Sequence, residues 1–337
     1  MQFITPVDIP KSSINIDHSK KVILLGSCFA DNIGQCLAEA KFNVLMNPFG
    51  TLYNPLSIAW QIERSMNGKT FSHQDEMLFQ DIDGIWHSWM HHSVFSSSSA
   101  SELLKRMNEA ARAMQEALQT AGTLIITFGT AIIYTLKENG RLVANCHKQK
   151  DILFHRRRLN TEEITKTWNE LLRKLHELNP NLQVVFTVSP IRHQRDGFHT
   201  NQISKSVLLI AIDHLVDECR RNGGDFTAEY FPSYEIMMDE LRDYRFYAED
   251  MIHPSSAAIQ YIWQRFSDSH FDNQTKDIIC QCEKIRKAVT HRPNQPGSTT
   301  YMHFIENTLK QIYQLIKQHP YICMDKEINL CNTLLRK

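Results

Sequence analysis

The sequence predicts an α/β fold in which a parallel five-stranded sheet lies between two layers of helices. Apolar runs of about five to seven residues, rich in β-branched side chains, alternate with longer segments of helical period, a pattern typical of repeated βα units. The chain has 337 residues, of which 42% are hydrophobic and 22% charged, so it can bury a large core. This composition excludes a disordered, collagen-like or coiled-coil protein.

The elements follow from where the apolar runs and the helical periods begin and end. The strands are predicted at residues 22–26, 42–46, 123–128, 183–188 and 226–230, each followed by a loop rich in polar residues, Gly or Pro. The helices are predicted at residues 31–40, 56–66, 102–120, 162–178, 204–222 and 255–266. The expected architecture is a three-layer α/β/α sandwich.

Two hairpins interrupt the βα alternation. In the insertion 71–99, the stretch LFQDIDGIWHSW predicts two short strands around Asp83-Gly84, and its aromatic residues suit a flap over a cleft or simple packing. A second hairpin is predicted at residues 132–143, with its turn at Asn139-Gly140.

The chain beyond His270 is expected to be a helical extension, which divides the protein into a domain at 1–267 and an extension at 268–337. Lys, Gln and Asn become more frequent there, and the βα alternation stops. Ile305, Leu309, Ile312 and Ile316 share one helix face. That stripe packs on the protein's own core or, as an alternative, forms a homodimer contact.

Charge, hydropathy and cysteine content limit the class of protein. Lys plus Arg and Asp plus Glu both total 37, so no global field favours nucleic acid or an anionic membrane. No apolar run approaches the roughly 20 residues of a bilayer span, and the amino terminus does not resemble a signal peptide. The eight cysteines include no CxxC pair, so reduced thiols are expected. We therefore expect a cytoplasmic protein that binds neither nucleic acid nor membrane.

No cofactor or metal is expected. His87 and His91 would share one face if their segment were a helix. The pattern predicts a strand instead, in which residues four apart are too widely spaced for a compact metal site.

The turn Gly26-Ser27-Cys28-Phe29-Ala30 is the first candidate for chemistry. Ligands of an open parallel sheet bind beyond the carboxyl ends of its strands, and this turn follows the first strand. Free N–H groups at the start of the next helix would stabilise an oxyanion beside Ser27. The alternative is that Ser27 only caps that helix.

Asp250 and His253 form the second candidate. Pro254 suits a first helical turn, which leaves His253 at the cap position with its ring outside the helix. Asp250 can then bind the His253 Nδ1 and leave Nε2 free to take a proton from a serine.

These motifs resemble those of the GSCFA family, a branch of the SGNH or GDSL hydrolase superfamily. GSCFA stands at 26–30 and DMIHPS at 250–255, and the resemblance extends over about residues 1–267 through NPFGTLYNP, TFGTA, NCHK and SPIRHQRDGFHTNQ. It implies a flavodoxin-like α/β/α sheet with Ser27 as nucleophile and Asp250 and His253 as its acid and base pair. Gly50 is implied as an amide donor of the oxyanion hole, beside the Ser27 N–H.

The chain departs from the superfamily after the third strand. In place of a Gly-x-Asn-Asp motif it has Gly129-Thr130-Ala131, so the asparagine that serves as an oxyanion donor is missing. The Thr130 hydroxyl or the Asn145 amide can replace it. Loss of one such donor typically lowers the rate by about 10²–10³.

Substrate contacts are expected from the loop after the fourth strand and from two other segments. That loop carries Arg192, His193, Arg195 and His199, which suit a carboxylate or phosphate, or else ion pairs within the loop. His147 and Asn145 of NCHK have a similar status, and Tyr53 lines the pocket or fills the core.

The sequence therefore predicts a serine-dependent esterase that removes a small acyl group, for example O-acetyl, from a small-molecule or carbohydrate ester. Three alternatives remain open: an O-acyltransferase with the same triad, a catalytically silent ligand-binding module, and a thiol hydrolase that uses Cys28. In the serine reading, Cys28 is a small buried hydrophobe.

Overall fold

The computed structural model describes residues 4–75, 77–221, 226–291, 293 and 298–336. Its central sheet has five parallel strands: β1 Val22–Gly26, β2 Val44–Met46, β3 Thr123–Phe128, β4 Gln183–Val188 and β5 Ala228–Phe231. The strand order is β2-β1-β3-β4-β5, which is the flavodoxin-like order. The predicted fold class is confirmed, and the carboxyl ends of β1, β3 and β4 lie side by side.

Helices cover both faces of this sheet. They are α1 Cys28–Glu39, α2 Pro55–Met66, α3 Ala100–Thr120, α4 Thr161–Leu178, α5 Phe198–Arg221 and α6 Ser256–His270. Side chains of β1 alternate between the two faces: Ile23 and Leu25 pack with α2 to α5, whereas Val22 and Leu24 pack with α1 and α6. This period of two, on a strand buried on both faces, explains why its sequence is uniformly apolar.

Several elements begin at other residues than predicted. Helix α1 starts at Cys28 rather than at 31, because Ser27 caps it. Strands β2 and β5 start two residues later than predicted. Helix α5 starts at Phe198, six residues early, and the predicted end of that helix at Asn222 lies outside the described residues.

Both predicted hairpins are present. The first pairs Leu78–Gln80 with Trp86–Ser88, and the second pairs Ile132–Leu136 with Leu142–Val143; Gly84 and Gly140 adopt positive φ in the turns. The second hairpin gains a third strand, Phe154–Arg158, which the sequence pattern does not indicate because four of its five residues are exposed.

The chain after α6 is helical, as expected. It forms α7 Asn273–Thr290, α8 Thr299–Gln318 and α9 Asp325–Leu335. Ile305 and Ile312 are fully buried, and Leu309 and Ile316 pack against the same cluster, which α7 to α9 build among themselves. The stripe in α8 therefore faces a small core of its own. Across the described ranges, every helix is too short or too polar to cross a bilayer.

Candidate active site

The turn after β1 has a backbone shape that only glycine tolerates. Gly26 has a φ of +140°, and a Cβ there would lie 2.1 Å from the Thr127 carbonyl oxygen of β3. The Asn47 Oδ1 accepts the Gly26 N–H at 2.8 Å, while the Asn47 amide donates to the Asp31 carboxylate at 2.8 Å. Asn47 therefore joins the end of β1 to the first turn of α1.

Ser27 is the N-cap of α1. Its side-chain oxygen accepts the Phe29 N–H at 3.3 Å, and its own N–H donates to the Thr127 carbonyl at 3.3 Å. The residue is buried, with 1% of its surface exposed. The Ser27 hydroxyl therefore caps α1, which is the alternative role predicted for it, and this is its hydrogen bond among the described residues.

Asp250 and His253 are paired as the sequence predicts. The His253 Nδ1 lies 2.6 Å from Asp250 Oδ2, and the other carboxylate oxygen accepts the N–H groups of Ile252 and His253 at 2.9 and 3.0 Å. These backbone and side-chain hydrogen bonds lower the pKa of Asp250 to about 2. The cap of α6 is Ser255 rather than His253, because the Ser255 hydroxyl accepts the Ala258 N–H.

The free ring nitrogen of His253 faces Cys28. The His253 Nε2 lies 3.6 Å from the Cys28 Sγ, within hydrogen-bond distance for sulfur. Burial raises the pKa of the Cys28 thiol, although the N–H groups of Cys28 and Phe29 and the charge of Lys205 oppose that rise. The structure thus brings Asp250, His253 and Cys28 into one chain of contacts, and Ser27 lies beside that chain.

A cavity of about 630 Å³ opens in front of Cys28 and His253. Seven further residues expected from the sequence also line it: Tyr53, Thr130, Asn145, His147, Arg192, His193 and Arg195. The hairpin at 78–88 does not line it. Trp89 instead stacks on Phe79 and accepts the Asn145 N–H through its carbonyl, so the insertion supports the NCHK segment from behind.

The expected oxyanion donors differ in whether they are free. The Gly50 N–H donates to the Asn47 carbonyl at 2.8 Å, and Gly50 packs against His92, outside the cavity lining. The Thr130 hydroxyl lines the cavity but binds Ser204 at 3.0 Å. The Asn145 Oδ1 accepts the His147 N–H, and within the described residues its Nδ2 has no acceptor. Asn145 is therefore the side-chain donor that is open to a ligand.

The Cys28 N–H is a backbone donor that sequence reasoning did not name. As the first residue of α1 it has no partner in the helix, and within the described part of the chain no other residue accepts it. A ligand oxygen in front of Cys28 would meet this N–H group and the positive end of α1.

The substrate-side residues are held by neighbours. The Arg192 guanidinium lies over the Phe198 ring at 4.2 Å and donates to the Met251 carbonyl at 3.0 Å. The His193 N–H donates to Asn201, and burial lowers the pKa of His193 to about 3. The ring is therefore neutral at physiological pH.

The four other residues expected to contact substrate differ in where they lie. His147 donates through Nε2 to the Ser88 carbonyl at 2.8 Å, and burial lowers its pKa to about 4. Tyr53 meets His193 edge to face, with ring centroids 5.9 Å apart. Arg195 lines the cavity, whereas His199 is exposed and lies outside the lining.

Lys205 is a buried residue next to the site that the sequence analysis did not single out. It is fully enclosed, and its Nζ donates to the carbonyls of Gly129 at 2.7 Å and Ser189 at 2.6 Å, which follow β3 and β4. Burial lowers its pKa to about 7. Lys205 stands three residues before Leu208 and seven before Ile212 on the buried face of α5, so a lysine in an apolar periodic position was the available signal.

The histidine-rich segment 87–92 makes contacts within the insertion. His87 binds Asp81 and Ser96 through its two ring nitrogens. Within the described ranges, no group of three or more His, Cys, Asp or Glu side chains is placed to hold a metal ion.

Fold and site together define an α/β protein in which a histidine and aspartate pair faces the turn after β1, at the carboxyl edge of a flavodoxin-like sheet. Residues 21–266 match the GSCFA family, and residues 282–337 match the C-terminal domain of GSCFA domain proteins. The chain belongs to the GSCFA family. No curated protein matches its sequence.

Solved structures similar to this chain include three carbohydrate esterases. A family two carbohydrate esterase from Clostridium thermocellum has a TM-score of 0.36 and 10% identity over 78% of this chain and 65% of its own. The acetyl xylan esterase Est2A from Butyrivibrio proteoclasticus has a TM-score of 0.38 and 14% identity, with 74% of this chain and 63% of the esterase covered. A carbohydrate esterase family 3 protein from Talaromyces cellulolyticus has a TM-score of 0.35 and 8% identity, with 77% of this chain and 98% of the esterase covered. This chain spans less than two thirds of the first two.

Proposed function

We propose that the protein is a carboxylic ester hydrolase that removes a small acyl group by way of a covalent acyl-enzyme. The observation that carries the proposal is the Asp250–His253–turn arrangement: the carboxylate holds Nδ1 at 2.6 Å, and Nε2 faces the Ser27–Cys28 turn across the cavity mouth. Ser27 is the nucleophile that the family resemblance implies, and Cys28 is the residue that the ring contacts.

The chemistry follows from these positions. The nucleophile attacks the ester carbonyl while His253 Nε2 takes its proton, and His253 then returns that proton to the leaving alcohol. Asp250, whose pKa of about 2 keeps it ionised, fixes the ring and stabilises the imidazolium. The Cys28 N–H and the Asn145 amide are the free donors for the oxyanion.

The cavity favours a small polar ester. Its volume of about 630 Å³ is in the usual range for a small-molecule site, about 300–1,000 Å³. Asn145, Arg192 and Gln194 line it with hydrogen-bonding groups, and Tyr53 adds an aromatic side chain. This combination suits an O-acetylated sugar.

The test is turnover of p-nitrophenyl acetate and of acetylated xylo-oligosaccharides by the wild-type, His253→Ala, Asp250→Asn and His155→Ala proteins. His155 is an exposed histidine outside the cavity and serves as the matched control. We expect His253→Ala to lose a factor of about 10²–10⁴ in kcat, the usual contribution of a general base, and His155→Ala to keep its rate. Equal rates in all four proteins would contradict the proposal, as would complete inactivity of the wild type.

A further inference from the structure

Resting on the ester hydrolase proposed above, we infer that the nucleophile is the Cys28 thiol and that the acyl-enzyme is a thioester. Ser27 then acts as the helix cap that holds Cys28 in position. The family resemblance implies Ser27 as the nucleophile instead, so the contacts of the two residues must decide between them.

The first observation is the contact of the histidine. The His253 Nε2 is 3.6 Å from Cys28 Sγ, and among the described residues no hydrogen bond joins it to the Ser27 hydroxyl. Because the Asp250 carboxylate accepts from Nδ1, Nε2 carries the lone pair and can take a proton. The atom in position to give that proton is the Cys28 sulfur.

The second observation concerns the backbone donors. In triad hydrolases the N–H of the nucleophile itself belongs to the oxyanion hole. The Ser27 N–H already donates to the Thr127 carbonyl at 3.3 Å, so it is unavailable. The Cys28 N–H is unpaired with any other described residue and points out of the first turn of α1.

The third observation is access. Cys28 lines the cavity, whereas Ser27 is absent from the lining and is 1% exposed. The Ser27 oxygen also accepts the Phe29 N–H. An attack by Ser27 would need its side chain to leave the cap and cross the Cys28 side chain, whereas Cys28 needs no rearrangement.

The reaction balances with the groups present and water. The Cys28 S–H proton moves to His253 Nε2, Sγ bonds to the carbonyl carbon, and the carbonyl electron pair moves to oxygen. Collapse breaks the carbon–alkoxy bond, and the alkoxide takes the proton from Nε2–H. Water then gives a proton to Nε2 as its oxygen attacks the thioester carbon, the C–S bond breaks, and the thiolate recovers the proton.

The experiment compares Cys28→Ala, Cys28→Ser and Ser27→Ala with Cys36→Ala, a matched control for a second thiol on α1. Burial raises the pKa of Cys36 to about 11, and no histidine contacts it among the described residues. After acid quenching of a reaction with p-nitrophenyl acetate, mass spectrometry locates the acetyl group, and neutral hydroxylamine distinguishes a thioester from an ester.

We expect Cys28→Ala to lose at least about 10³-fold in kcat/KM and to form no acetyl-enzyme. Cys36→Ala should stay within about 10-fold of the wild type. Ser27→Ala, which loses only the helix cap, should lose far less kcat/KM than Cys28→Ala and should still carry the hydroxylamine-labile acetyl group on Cys28. An acetyl group on Ser27 that resists hydroxylamine, retained in Cys28→Ala, would overturn the inference while the esterase proposal stood.

A second readout does not need ester turnover. The rate at which iodoacetamide alkylates Cys28, followed by mass spectrometry, should exceed that of Cys36 and should fall at least about 10-fold in His253→Ala, because His253 Nε2 takes the thiol proton as the sulfur reacts. If the wild type turns over no ester but shows this dependence, the esterase proposal fails and the Cys28–His253 pair stands. Equal alkylation rates in the wild type and His253→Ala overturn the inference.

Discussion

The Asn47 side chain accepts the N–H of Gly26 at 2.8 Å, across the parallel strand ends of β1 and β2. Its amide also donates to Asp31 on the first turn of α1, so one buried side chain fixes both sides of the turn at 26–28. Asn47 adopts a φ of +38°, a conformation that Asn tolerates better than most residues.

Replacement of Asn47 by Ala is expected to reduce stability and activity together. The Gly26 N–H would lose its acceptor in a buried position, which costs about 1–3 kcal/mol, and the turn would lose its tie to α1. Urea denaturation and kcat/KM measure the two effects. The control is Asn43→Ala, at an exposed position immediately before β2. It should change the free energy of unfolding by less than about 0.5 kcal/mol. Equal stability of the two variants would contradict this role.

Gly26→Ala tests whether the turn depends on glycine. A Cβ would lie 2.1 Å from the Thr127 carbonyl oxygen at a φ of +140°, so we expect a loss of about 3 kcal/mol or more. Gly140 has a φ of +71°, but among the described residues no heavy atom lies within 4 Å of the Cβ that alanine would add. Gly140→Ala should therefore lower the free energy of unfolding by only about 1 kcal/mol. Thermal unfolding of the two variants separates the steric clash, present only in Gly26→Ala, from the backbone strain that both share. Similar losses of stability in the two variants would refute the clash.

Asn145→Ala tests the oxyanion donor that replaces the missing asparagine. We expect kcat to fall by about 10²–10³ with KM changed far less, because the amide acts on charge that develops in the transition state. Asn139→Ala is matched, since both side chains accept an N–H two residues further on, but Asn139 lies in a hairpin turn outside the cavity lining. A rate for Asn145→Ala equal to that of Asn139→Ala would exclude Asn145 from the oxyanion hole.

Lys205→Met tests the buried ammonium that joins the ends of β3 and β4. The folded pKa of Lys205 is lowered from 10.5 to about 7, so between these values the unfolded chain binds a proton that the folded protein has lost. The free energy of unfolding of the wild type, relative to Lys205→Met, should therefore rise with pH above about 7, by up to about 1.4 kcal/mol per pH unit. Urea denaturation between pH 6.5 and 9 measures this difference. A constant difference would show that Lys205 titrates normally.

His91 should make the protein sensitive to acid. Burial lowers its folded pKa from 6.5 to about 3, so as the pH falls from 6.5 the unfolded chain takes up a proton that the folded protein does not. Stability contributed by the neutral ring is complete above pH 6.5 and declines by about 1.4 kcal/mol per pH unit below it. In His91→Gln the pH dependence of the unfolding free energy between pH 6.5 and 4.5 should be shallower by that amount. The exposed His155→Gln should leave it unchanged, and identical slopes in both variants would contradict the assignment.

The sequence by itself determined the fold class, the alternation of strands and helices and the Asp250–His253 pair. Apolar runs such as that of β1 are readable because burial on both faces removes polar residues from a parallel strand. Asp250 and His253 are three residues apart, so local backbone geometry brings them together without help from the rest of the chain.

Only the tertiary structure decided which groups meet across the sheet. Cys28 and His253 are 225 residues apart, and their 3.6 Å contact depends on how α1 and the loop before α6 meet at the sheet edge. The pattern at 26–30 does not separate Ser27 from Cys28, because the two residues are adjacent and no local rule says which side chain faces the histidine. Lys205 and Asn47 escaped prediction for the same reason, because each binds backbone groups that long-range packing brings together. The same packing binds the Thr130 hydroxyl to Ser204 and leaves the Asn145 amide open, a choice that the sequence left undecided.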